Sequence, residues 1–235
     1  MKKWAFTLFL LCFAVQFGFA QYNEIGVFVG GANPVSDIGK AMYINPTKWA
    51  FGLLYKRNIN QRISARADVK WLSVWDNDAY SDIPARQNRG FSFENKITEI
   101  GVGIEYDFLH FDTHEPFTIL LTPYWHTGIY YFRMDNLYFP NIQTAKSPSI
   151  VEHPERTESW AIPFTLGVKT RLGNTRFLIG AEVSLRYTFT NNLEGSKASR
   201  REAWFGNLNS NDWYFVSGVY VTYTFGTKKC QCFNF

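Results

Sequence analysis

Along most of the chain, apolar residues recur at every second position, the period of a strand whose two faces meet different surroundings. In the last such segment Trp213, Phe215, Val219, Val221, Tyr223 and Phe225 share one face, and Tyr214, Gly218, Tyr220, Thr222 and Thr224 share the other. The fourth sets Ile100, Val102, Ile104, Tyr106 and Phe108 against Glu99, Gly101, Gly103, Glu105 and Asp107. The seventh sets Phe177, Ile179, Ala181, Val183, Leu185 and Tyr187 against Leu178, Gly180, Glu182, Ser184 and Arg186. Segments near Asn23–Gly31, Lys48–Arg57, Ile63–Val74, Phe117–Tyr131 and Trp160–Leu172 read the same way, which makes eight. Short alternating segments of this kind are the signature of a transmembrane barrel.

The links between segments alternate in length. Asn58–Gln61, about His110–Pro116 and Gly173-Asn174 are short, and the last pair suits a two-residue hairpin turn. About Ala32–Thr47, Trp75–Asn95, Phe132–Ser159 and Phe189–Asn211 are long. Outer-membrane barrels keep short periplasmic turns and long external loops. The expectation is therefore an all-β, eight-stranded antiparallel transmembrane β-barrel of a bacterial outer membrane, with both termini periplasmic. A soluble β-sandwich or lipocalin-like barrel also has eight alternating strands, but it would turn the charged faces outward. Two features favour the membrane. Aromatics gather at strand ends (Trp49, Trp71, Trp75, Trp125, Tyr131, Trp160, Trp213, Phe225). The polar faces mix both charge signs with glycines, which suits a narrow lumen.

Residues 1–20 read as a signal peptide. Lys2 and Lys3 precede the apolar stretch Trp4–Phe17, and Gly18-Phe19-Ala20 places small residues where a signal peptidase cuts, before Gln21. A membrane anchor would need about 20 apolar residues. Cys12 follows Leu10 and Leu11, where a lipobox wants a small residue, so it leaves with the signal. The barrel then occupies 21–226 and a periplasmic tail 227–235. Aromatics at 18% nearly equal charged residues at 19%, an odd balance for a soluble protein. Loss of Lys2 and Lys3 leaves 22 basic against 20 acidic residues, a net charge of +2, with no concentrated basic face for nucleic acid.

The interior of an eight-stranded barrel is just wide enough for side chains to fill it. The polar faces offer Arg66, Asp68, Lys70, Glu99, Glu105, Asp107, Lys169, Arg171, Glu182 and Arg186, five cations and five carboxylates. Charges removed from water must pair, so equal numbers predict an ion-paired plug; a selective channel is the alternative. His126, on a polar face near Tyr124 and Tyr130, could act as a base, but no placed nucleophile and orienting carboxylate accompany it. Its other reading is a hydrogen-bonded lumen histidine. His110, His114 and His153 lack metal-ligand spacing. No phosphate loop, H-E-x-x-H or nucleophile elbow occurs. The expectation is no enzyme, no cofactor, no metal and no small-molecule substrate.

Two exposed stretches remain. Lys197, Arg200 and Arg201 could meet lipopolysaccharide phosphates or simply be solvated. In the tail, Lys228, Lys229, Cys230, Cys232, Phe233 and Phe235 form the candidate partner-binding stretch. Cysteines at i and i+2 are poorly placed to bridge each other. They could hold a soft metal, bond a partner protein through an intermolecular disulfide, or stay as unmodified thiols.

The stretch Tyr22-Asn23-Glu24-Ile25-Gly26, Gly30-Gly31 and Asn33-Pro34-Val35-Ser36-Asp37-Ile38-Gly39 resembles the PorG-type outer-membrane barrels of Bacteroidetes. So do Pro46, Phe51-Gly52-Leu53, Tyr55-Lys56-Arg57-Asn58-Ile59-Asn60, Arg62-Ile63-Ser64-Ala65-Arg66 and the cysteine-bearing aromatic end. The similarity is best over residues 21–75; beyond that it lies mainly in barrel layout. The resemblance implies a non-enzymatic component of the type IX protein secretion system that anchors or positions a periplasmic ring of PorK and PorN type. It supplies no catalytic residues. Besides membrane lipid, that ring is the expected partner. The alternatives are a free-standing barrel of the OmpA or OmpX type, acting in adhesion or membrane integrity, and a lipid-modifying barrel enzyme built on His126.

Overall fold

Eight strands pair in sequence order, each antiparallel to the next, and the eighth returns to the first to close a barrel. They are β1 (Asn23–Val35), β2 (Lys48–Asn58), β3 (Ile63–Asn77), β4 (Ser92–Asp107), β5 (Leu121–Tyr138), β6 (Val151–Arg171), β7 (Phe177–Thr188) and β8 (Trp213–Phe225). A 3-10 turn (Asp78–Tyr80) and one short helix, α1 (Pro84–Arg89), lie between β3 and β4. The computed structural model describes residues 22–40, 42–109, 121–139, 150–173, 175–196, 205–206 and 211–226, with backbone only at 152–155.

Closure removes every free strand edge from the wall, so the ladder satisfies the backbone polar groups of the strands. Asn23 pairs with Phe225, which puts both ends of the strand order at the end with the short turns. At that end the Asn60 side chain accepts the N–H groups of Arg62 and Ile63, at 2.8 and 2.7 Å, and so holds the β2–β3 turn. The β6–β7 connection is longer than the two-residue hairpin read from Gly173-Asn174. Leu172 N–H closes onto the Phe177 carbonyl at 2.9 Å. Thr175 holds it, its hydroxyl donating to the Leu172 carbonyl at 2.6 Å.

Alternation turns the barrel inside out relative to a soluble one. Val102, Ile129 and Leu166 are 63%, 59% and 64% exposed on the outside, while Lys56, Glu99 and Glu105 are wholly buried within. That is the reverse of what a sandwich or lipocalin-like barrel requires.

Several segments read as loops are strand. β1 runs on to Val35, β3 to Asn77, and β4 begins at Ser92. The largest correction concerns the third loop, expected over Phe132–Ser159. β5 and β6 stay paired up to Tyr138 and Val151, well past Ala161, the last β6 residue paired with β7. The last pair joining β4 to β5 is Ile97 with Met134. Just above it the Asn95 side chain stands in for the ladder. Its Oδ1 accepts the Asp135 N–H at 3.0 Å, and its Nδ2 donates to the Asp135 carbonyl at 3.1 Å and the Leu193 carbonyl at 2.7 Å.

Candidate functional site

The lumen is filled by charged side chains and tyrosines. Arg66, the fourth residue of β3, is its hub. Its two terminal nitrogens grip both carboxylate oxygens of Glu182 at 2.7 and 3.0 Å, while Nε reaches Asp68 at 3.1 Å. Such bidentate pairs are the strongest charge-assisted hydrogen bonds available to a buried cation. Glu105 collects three cations: Lys56 at 2.7 Å, Lys169 at 2.8 Å and Arg66 at 3.4 Å. Lys169 also meets Asp107 at 2.8 Å, and Lys70 stands 3.4 Å from Asp68 and 3.8 Å from Glu182. Higher up, Arg186 forks onto Glu99 at 2.9 and 3.2 Å.

Four tyrosines complete the lattice. Tyr124 donates to Glu182 at 2.7 Å, Tyr214 to Glu99 at 2.7 Å and Tyr130 to Asp68. Lys56 lies over the Tyr220 ring at 4.6 Å. Opposite Tyr130 stands Gly101, where any Cβ would overlap the phenol ring. Gly167 and Gly180 likewise leave room for the rings of Tyr124 and Tyr220.

The other end is closed by different chemistry. Phe91 and Phe139 stack at 4.6 Å, and Phe205 meets both edge-on at 5.2 and 5.4 Å. The Arg89 guanidinium covers this cluster, 4.6 Å from the Phe91 ring centre. It is held by Asp78 at 2.8 and 3.0 Å. The buried Asp78 carboxylate also accepts the N–H groups of Gly39 and Phe91, at 2.8 and 3.0 Å. Ile38 and Leu193 are fully buried in the same cluster, so residues of all four long connections meet over the mouth. Two carboxyls tie the last connection down. Glu194 accepts the Ile38 N–H at 3.2 Å, and Asp212 accepts the Leu193 N–H at 2.8 Å. Burial, with the Asp212 charge beside it, pushes the Glu194 carboxyl up to about 8. Burial likewise raises Asp212.

Residues 2–234 match a family described as Domain of unknown function (DUF6089). The chain belongs to that family. No curated protein matches the sequence. Solved barrels similar to this family member include the N-terminal β-barrel domain of Pseudomonas aeruginosa OprF, at 13% identity and a TM-score of 0.44, over 87% of this chain and 97% of that one. Another is Ail, the attachment invasion locus protein of Yersinia pestis, at 9% identity and 0.46, over 88% and 100%. A third is Neisserial surface protein A, at 15% and 0.43, over 88% and 97%.

All ten charged residues assigned to the polar faces lie on the lumen side and are buried. Nine of them join the ion pairs above, and Arg171 sits at the turn-end rim as the last residue of β6. Sequence reasoning missed Lys56 and Glu24, also buried in the lumen. Glu24 accepts Asn58 at 2.8 Å and Thr222 at 3.1 Å. Parity would have found both, because Trp49, Phe51, Leu53 and Tyr55 point outward and leave Lys56 inward. With them, and with Asp76 buried on the inner face of β3 near the mouth, the described strands hold six cations and seven carboxylates inside.

His126 is buried, with Nδ1 3.4 Å from the Thr165 hydroxyl. Among the described residues no group of three or more His, Cys, Asp or Glu side chains is arranged to hold a metal. The tail residues Lys228, Lys229, Cys230, Cys232, Phe233 and Phe235 lie outside the described residues, as do the signal segment, His110, His114, Lys197, Arg200 and Arg201.

Proposed function

We propose that the chain is a non-enzymatic anchor: a barrel that spans the bacterial outer membrane, is shut to passage, and positions a periplasmic assembly at its turn end. The observation that carries this reading is the combination of an apolar outer wall with a lumen filled by salt-bridged side chains. The wall matches lipid, and the lattice fills the lumen that a translocated polypeptide would need. The resemblance to PorG-type barrels supplies the finer reading: a component of the type IX secretion machinery whose partner is a periplasmic ring of PorK and PorN type. The turn-end tail, with Cys230 and Cys232, is the docking element in this reading.

Affinity purification of the full chain from native membranes tests it. Co-recovery of periplasmic ring proteins, lost on removal of 227–235, is the expected result; recovery of the barrel alone would overturn the docking role. The folded aromatic cap favours a second reading, a free-standing barrel of the OmpA or OmpX type that works through its external face. Loss of function on cap deletion, with tail deletion silent, would select it.

A further inference from the structure

β1 departs from its own alternation at one end. Ile25, Val27 and Val29 point outward and are exposed, so the same parity places Gly31 and Asn33 on the outer face. Both are nevertheless buried. The segment 42–47 of the first long connection covers them from outside.

Its attachment is specific. The Asn33 amide donates to the carbonyls of Met42 and Tyr43 at 2.9 and 3.3 Å, and its Oδ1 accepts the Asn45 N–H at 3.1 Å. Thr47 N–H donates to the Ala32 carbonyl at 3.0 Å. A Cβ on Gly31 would stand 2.6 Å from that of Pro46; only glycine lets the connection lie flat against the wall here. The Tyr43 ring meets Phe215 edge-on at 6.1 Å, and Phe215 is the β8 residue paired with Asn33. The connection therefore turns down over the outside of the barrel.

What it presents there is apolar. Met42, Tyr43 and Ile44 are 40%, 67% and 55% exposed. No charged residue falls between Lys40 and Lys48. Those two are engaged at the flanks, with Asp82 at 3.4 Å and Glu94 at 2.9 Å. At this level the neighbouring strands carry aromatics: Trp49 pairs with Gly31, and Phe215 with Asn33. β1 alone would leave a gap between them.

We propose that Met42-Tyr43-Ile44 is a lipid-binding foot, which fills the gap over β1 and enters the interfacial zone of the outer leaflet. The inference rests on the membrane-spanning reading. The occupant is lipid because the tip continues the exposed apolar wall without a break. Tyrosine, apolar in body and polar at its tip, suits the headgroup level, and Met42 and Ile44 add apolar area that gains by leaving water.

The test uses the mature chain with Cys230→Ser and Cys232→Ser, folded into phosphatidylcholine vesicles. Single cysteines are introduced as Ile44→Cys, as Val221→Cys on the wall, and as Asn88→Cys on α1, each labelled with an environment-sensitive fluorophore. Lipids bearing a nitroxide at a shallow acyl position should darken positions 44 and 221 alike, several times more than position 88. If 221 darkens and 44 behaves like 88, the foot is overturned and the membrane barrel stands. If 221 itself stays bright, the spanning reading fails and the foot with it. If 44 is shielded from both the lipid nitroxide and a water-soluble quencher, a protein surface or a second copy covers it, which also overturns lipid as the occupant.

Discussion

The two halves of the barrel interior are closed by opposite means. Towards the turn end, closure is ionic: Arg66, Lys56, Lys169 and Lys70 are locked among Glu105, Glu182, Asp68 and Asp107, with the tyrosines as spacers. At the loop end, closure is aromatic, with Phe91, Phe139 and Phe205 under the Arg89–Asp78 pair. The ionic half belongs to the strands, so it stands or falls with the barrel. The aromatic half belongs to the connections, so it can open while the barrel stays closed. A buried ion pair adds little net stability, yet removing one partner is costly because it strands the other charge. Aromatic packing fails more gradually, by the area and cavity lost.

The largest expected effect is therefore on the ionic side. Arg66→Ala leaves Glu182, Asp68 and part of Glu105 without their shared cation, and should cost about 3–5 kcal/mol. The loss should appear as a lower urea midpoint for the whole barrel, read by heat-modifiable migration on gels. A change confined to protease sensitivity in the long connections would contradict this division of labour.

Next comes Phe91→Ala, which removes the ring at the centre of the cap and should cost about 3 kcal/mol locally. Cleavage of the four connections by protease should rise, while the barrel fragment keeps its urea midpoint. Equal loss of both would show the halves to be one cooperative unit.

The smallest effect should come from pH. Glu194 titrates higher in the folded cap, at about 8, than an unfolded carboxyl, at about 4.3. A raised carboxyl pKa means that the protonated form holds the cap. Its contribution is whole below the unfolded value and is lost as the pH climbs through the folded one. Amide exchange at Leu193, corrected for its intrinsic rate, should speed up towards mildly alkaline pH. Glu194→Gln should reduce that dependence to the share that Asp212, itself raised by burial, contributes, without changing the barrel's own unfolding.

The same division explains what could be read from sequence. The wall was legible because an exposed apolar outer face and a buried polar lumen alternate at successive residues, and β7 and β8 follow that alternation throughout. The strand extensions were not legible, because above the apolar belt the contrast reverses: the inner face is apolar, with Phe93, Phe132, Met134 and Leu137 buried, and the outer face is polar. On β5 and β6 the outer face there carries Arg133 with Glu158 and Arg156 with Asp135, charged pairs at 3.5 Å, so the segment read as loop. The lumen network was legible residue by residue through parity, although Lys56 and Glu24 were passed over in strands otherwise read as apolar. The cap left no trace, because Ile38, Phe91, Phe139, Leu193 and Phe205 come from four separate connections and share no period. The burial of Asn33 behind its own connection was equally invisible, since alternation alone puts it in the open.

One pairing sets the order in which the molecule can be made. β1 finds its second partner only in β8, with Asn23 against Phe225, so the first strand to emerge waits for the last. Until then the growing sheet keeps two unpaired edges, which are sticky templates for other strands. Contacts so distant along the chain also form slowly. Assembly should thus be an all-or-nothing event timed by the arrival of β8. A chain halted before Trp213 would persist as an open sheet in need of a chaperone.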